Sequence, residues 1–107
     1  MEEKNRMKEL EQGIAEIAAT LQAPGAKISA EASLLVRTGQ MYAEAESILY
    51  RKREQVLSEL LYDNPGMSAN EQKIRVEAKC SYEASVTRRI EQVNKALSLI
   101  VATNKRS

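Results

Sequence analysis

The first apolar positions of the chain are Met7, Leu10, Ile14, Ile17 and Leu21, at intervals of three, four, three and four. That is the a/d spacing of a coiled-coil seam, and it predicts a helix over about residues 2–22. Gly13 lies inside it and weakens it by roughly 1 kcal/mol relative to Ala. The stretch "APGAK" then predicts a linker over about 23–28, because Pro24 cannot continue a helix and Gly25 tolerates left-handed backbone angles. Ser29 is a suitable N-cap for a second helix, with Glu31 in its first turn.

That second helix is expected over about 29–62, with Gly39 as its one weak point. Leu35, Thr38, Tyr42, Ala45, Leu49, Val56 and Leu60 form one stripe along it. Leu34, Met41, Ile48, Leu57 and Leu61 form another, about 100° round the helix. An apolar arc this wide contacts more than one neighbour. "LYDNPGMSANEQK" then stops it. Pro65 pushes Asn64 out of the helical region, Gly66 permits the reversal, and Ser68 with Glu71 has the spacing of a capping box. A third helix is expected over about 69–103 without a break, its stripe being Ile74, Ala78, Tyr82, Val86, Ile90, Val93, Leu97 and Ile100. Residues 104–107 form a basic tail.

The expectation is therefore a single all-α domain spanning 1–107. Two long helices fold back on each other as an antiparallel hairpin, and a shorter N-terminal helix covers part of it. Each arm is roughly 50 Å long at 1.5 Å per residue, and the first helix about 30 Å. The half near Pro65 would then be a two-helix ribbon showing Val56, Leu57, Leu60, Leu61, Ile74 and Val76. Adjacent apolar groups of that size mark an interface, so a second copy is expected to cover them, most simply as a two-fold dimer. By this reading Leu60→Glu splits the dimer.

Composition narrows the chemistry. The chain has no Trp, Phe or His, four Tyr and one Cys, and a net charge of +1 from 16 basic and 15 acidic residues. Without histidine the commonest general base and metal ligand is missing, so no catalytic centre, metal or cofactor is expected. Cys80 excludes an internal disulfide and reads as a small core residue of a chain from the reducing cytosol. The charged start "MEEKNRMKELEQ" and the short apolar run "LIVA" give neither a signal peptide nor a membrane span, so a cytoplasmic location is expected. Arg51, Lys52, Arg53, Lys73, Arg75 and Lys79, with Tyr50 and Tyr82, could form a cationic and aromatic band on the hairpin, which is the alternative reading as a nucleic-acid contact. Glu54, Glu59, Glu71 and Glu77 bring the same half close to neutral. Folding about Pro65–Gly66 sets residue i roughly opposite 131 − i, which places Arg88 and Arg89 against Glu44 and Glu46 as interhelical ion pairs.

The segments "GQMYAEAESILYRKREQVL" and "YEASVTRRIEQVNKALSLIVATNKRS" resemble the small all-helical proteins encoded in the early and recombination gene clusters of tailed bacteriophages and prophages. The resemblance covers about the last two thirds of the chain. It implies a non-enzymatic accessory or inhibitor protein acting beside replication, recombination or host defence, and it transfers no catalytic residue. The function expected from the sequence is thus a homo-oligomeric helical interaction protein with a protein partner. A nucleic-acid-binding accessory module is the alternative.

Overall fold

The computed structural model describes residues 2–22 and 31–106. Four helices account for them: α1 (Glu2–Gln22), α2 (Glu31–Asp63), α3 (Ala69–Lys79) and α4 (Ser81–Arg106). The predicted linker over 23–28 and the Ser29 cap lie outside the described residues. Within them the molecule is a slab of about 58 × 27 × 19 Å.

The turn after α2 forms as its residues dictate. The Asn64 amide donates to Leu60 O at 2.8 Å, and the Met67 amide donates back to Asn64 O at 3.1 Å. Ser68 caps α3 by accepting from the Glu71 amide at 3.2 Å. The other half of the expected capping box is replaced: the Glu71 carboxylate turns to Arg75 Nη2, one turn on, at 2.8 Å.

The expected unbroken third helix is instead two. Cys80 separates α3 from α4 with φ −105° and ψ 12°, outside the helical well. The amide ladder carries on across it, since the Cys80 amide reaches Val76 O at 3.0 Å and the Ala84 amide reaches Cys80 O at 2.9 Å. Neither Gly nor Pro marks the spot. The break falls where the packing partners change, α3 lying against α2 whereas α4 lies against both α1 and α2.

Two apolar clusters follow from that division. In the three-helix half, Met7, Leu10, Ile14 and Ile17 of α1 meet Met41, Ala45 and Ile48 of α2 and Val86, Ile90 and Leu97 of α4. Near the turn, Leu49, Val56 and Leu60 of α2 close on Val76 and Cys80 without any help from α1. Gly13 belongs to the first of these, because a Cβ there would sit 3.2 Å from Met41 Cε. The cost of a glycine inside α1 is offset by close approach to α2.

The line of contact along the return helices is not the stripe of Ile74, Ala78 and Tyr82. Toward α2 the buried positions are Val76, Cys80, Glu83, Thr87, Ile90 and Leu97, with Asn94 half-buried between the last two, while Val86 of the expected stripe is buried in the cluster with α1. The seven toward α2 alternate by four and three, a heptad row that carries three polar residues. Ile74 and Ala78 point to solvent.

Ile90 is fully buried and Leu99 is 71 % exposed. Ile90→Ala should therefore cost about 2–5 kcal/mol of unfolding free energy, and Leu99→Ala should stay within about 0.5 kcal/mol of the parent. Urea melts followed by helical circular dichroism check both, and equal losses would contradict this packing.

Candidate interaction surfaces

The buried polar side chains of the α2–α4 seam are held by neighbours. Lys52 leaves α2 at the edge of the α2–α4 seam and places its Nζ 2.6 Å from Glu83 Oε2, in the first turn of α4. The Glu83 side chain is 5 % exposed and that of Lys52 36 %. A carboxylate in the first turn also faces the positive end of its helix. Glu83 Oε1 is buried and has no hydrogen-bond partner among the described residues. At the far end of the same seam Asn94 Nδ2 donates to Thr38 Oγ1 at 2.8 Å and to Leu35 O at 3.2 Å.

The cations proposed for nucleic acid are mostly spoken for. Arg51 of α2 pairs with Glu3 of α1, Lys52 with Glu83, Arg53 with Glu77 and Arg75 with Glu71. The Arg53 pair is carried by Nη2, 3.2 Å from Glu77 Oε2, since Nε lies within ion-pair distance but off the line of a hydrogen bond. Lys73 and Lys79 are exposed and enter no ion pair among the described residues. Tyr82 donates to Glu11 of α1 at 3.0 Å, and burial followed by that bond pushes its phenol pKa up. Tyr50 stays exposed, its hydroxyl turned to Glu54, which also raises its pKa. The band expected from sequence is thus a set of locally neutralised pairs with two free lysines.

Arg88 and Arg89 do not bridge to Glu44 and Glu46. Glu44 is taken by Arg6 of α1, whose Nη2 lies 2.8 Å from Glu44 Oε2, and this holds the carboxyl below its usual range. Glu46 lies one turn from Tyr42, and its carboxylate, followed by that of Glu91, pushes the Tyr42 phenol pKa up to about 12. Sequence reasoning set α4 against α2 and left α1 out of the charge pairing.

The six residues assigned to self-association divide three ways. Val56, Leu60 and Val76 are buried between α2 and α3, Leu57 and Leu61 are half-buried, and Ile74 is 61 % exposed. The expected bare ribbon closes on itself, because a pair of facing seams buries both without a third helix. Leu60→Glu would accordingly place a charge inside the chain's own core.

A different exposed row appears on α2. Val36, Ala43 and Tyr50 recur every seven residues on the side turned away from both seams, whereas Leu57, the next position, packs half-buried against the α2–α3 cluster and Leu61 is half-buried. Val36 is 62 % exposed, Tyr50 61 %, and Ala43 is also open to solvent. The seven-residue recurrence was the signal for it in the sequence, masked by the two richer stripes beside it.

Concave features are small. One cleft of about 220 Å³ is lined by Glu3, Lys4, Ile48, Lys52, Gln55 and Glu83. Among the described residues there is no cluster of three or more Cys, Asp or Glu side chains placed to hold a metal ion. Nor is any helix there long and apolar enough to cross a membrane. Cys80 is fully buried, and burial is the main cause raising its thiol pKa. A thiol so placed is a weak nucleophile.

The Lys52–Glu83 pair predicts an asymmetry. Lys52→Met strands a buried carboxylate, costing about 1–3 kcal/mol. Glu83→Leu leaves a lysine that can turn to water and costs less. Chemical denaturation of the two single variants checks the order, and a larger loss in Glu83→Leu would contradict it. Compared with protein-family models, curated proteins and solved structures, the chain matches none of them.

Proposed function

We propose that the chain is a non-enzymatic helical interaction protein that associates with copies of itself and works through protein–protein contacts. The observation that carries this reading is the exposed pair Val36 and Tyr50 on α2, each two turns from the open Ala43 between them. Side chains of this size at heptad spacing suit the side of a further helix.

Two neighbouring facts support it. The buried polar groups are engaged in holding helices together: Glu83 grips Lys52, and Thr38 grips Asn94. The formal charges nearly cancel, 16 basic against 15 acidic, so the surface offers contact area more than a field for attracting polyanions. An accessory or inhibitor role beside replication, recombination or host defence fits the resemblance to small helical phage proteins. Such a protein acts by occupying a partner's surface. The proposed self-association surface moves from the α2–α3 seam to the outer face of α2 around Val36, Ala43 and Tyr50.

Sedimentation equilibrium at micromolar to tens-of-micromolar concentration tests the reading. The parent is expected as a dimer or higher oligomer. Val36→Glu with Tyr50→Glu should shift it to the monomer while helical circular dichroism is retained. A parent that remains monomeric across that range contradicts it.

A further inference from the structure

We infer that α3 is a strap that releases from α2 and unwinds as one unit, bounded by the turn at Asn64–Met67 and the break at Cys80. The half built from α1, α2 and α4 stays folded while it does so.

The hold on α3 is slight. Of its 11 residues only Val76 is buried and only Gln72 is half-buried; the rest are exposed. The cluster it joins takes Leu49, Val56 and Leu60 from α2 and adds Val76 and Cys80, with Leu57, Met67 and Ala84 packed at its edge. Among the described residues α1 contributes nothing to that cluster. The ion pair spanning this seam, Arg53 with Glu77, joins two side chains open to solvent, where screening leaves it little strength. Gln72 turns its amide back to Met67 O at 2.8 Å, within the turn and not to α2. The other cluster draws on three helices and includes four buried side chains of α1, Met7, Leu10, Ile14 and Ile17.

Length and tethering make the release all-or-none. Helices shorter than about 12–15 residues are marginal in water, so α3 has little to keep it wound once it leaves α2. Both its ends are fixed. At the first, the Asn64 amide holds Leu60 O at 2.8 Å and the Met67 amide holds Asn64 O at 3.1 Å. At the second, the Ala84 amide holds Cys80 O at 2.9 Å. A rod pinned at both ends cannot swing clear without unwinding. Cys80 sets the far boundary, because its φ of −105° and ψ of 12° interrupt the helical run. Just beyond it, Lys52 clamps Glu83 to α2 at 2.6 Å, which stops the opening before α4. Segments with few buried apolar contacts open at a smaller free energy than the whole molecule. In the released form Val56, Leu60 and the Cys80 thiol, all buried when α3 is closed, meet solvent.

Thiol labelling reads the opening. Cys80 is the only cysteine, so its reaction with dithionitrobenzoate reports one place. The rate is measured at one protein concentration, from zero urea to the start of the unfolding transition, beside global unfolding followed by circular dichroism. Cys80 should react at least about tenfold faster than global unfolding allows, with a shallower urea dependence because less surface is exposed. Labelling that follows global unfolding in both rate and urea slope would overturn the inference. Hydrogen exchange then locates the unit: the amides of residues 74–79 should share the opening constant of the thiol, and those of Ile14 and Ile90 should exchange only on global unfolding. Exchange at Ile90 together with α3 would remove the boundary at Cys80. Val76→Ala should speed labelling roughly tenfold. Leu10→Ala, in the other cluster, should lower the urea midpoint yet leave labelling without urea within about twofold of the parent. Labelling that rises in proportion to the stability lost in Leu10→Ala would contradict the independence of α3.

Discussion

Lys52 meets Glu83 at one end of the seam between α2 and α4, and Thr38 meets Asn94 at the other. Between those two contacts the seam is filled by Ala45, Leu49, Thr87 and Ile90, with Leu97 beyond Asn94. The two contacts matter because α4 has two faces that could serve. One carries Tyr82, Val86, Val93 and Ile100 and is the greasier. The other carries Glu83, Thr87, Ile90, Asn94 and Leu97. Hydrophobic burial alone would turn the first face to α2. Doing so would break the Lys52–Glu83 and Thr38–Asn94 bonds, each worth about 0.5–1.5 kcal/mol net, and more where a charged group takes part. The polar pairs therefore select the second face, and they do so at two separated points, which fixes rotation along the whole interface.

The remaining architecture follows from that choice. With Glu83 and Asn94 turned to α2, Tyr82 is left on the flank where it reaches Glu11 of α1. Val86 and Val93 then complete the cluster in which α1 buries Met7, Leu10, Ile14 and Ile17. Arg6 and Glu3 seal that docking from outside by taking Glu44 and Arg51. Buried ionic pairs seldom add net stability over an apolar alternative, and their best-attested role is to specify arrangement. The break at Cys80 fits the same logic, since it separates a segment packed on one helix from a segment packed between two.

Much of this was legible in the residue order. The three-four spacing of Met7 to Leu21 places the buried face of α1, and Asn64–Pro65–Gly66 with Ser68 places the turn. The two stripes of α2 announce that it has more than one neighbour. Val86, Ile90 and Leu97 of the return stripe are buried as read; what escaped were the seam's other members, because Glu83, Thr87 and Asn94 are polar and a search for apolar periodicity steps around them onto Ile74, Ala78 and Tyr82. Their shared phase with Val76, Ile90 and Leu97 was present as a seven-residue recurrence. The Cys80 break left no local signal, being set by tertiary packing. The candidate surface suffered from the opposite error. Val56, Leu60 and Val76 looked available to a second chain because the reach of α1 was weighed and the ability of α2 and α3 to close on each other was not.

The polar pairs choose the face of α4 that meets α2, and replacing both with apolar groups of similar size tests this most directly. In the variant Thr38→Val, Asn94→Leu, Lys52→Met, Glu83→Leu, the measurement is the amide ¹H–¹⁵N correlation spectrum with Tyr82 contacts to α1 followed by NOE. The expected result is retained helicity with multiple or broadened signals along α1 and α4, as both faces of α4 compete for α2. One sharp set of signals, with Tyr82 still against Glu11, would contradict it.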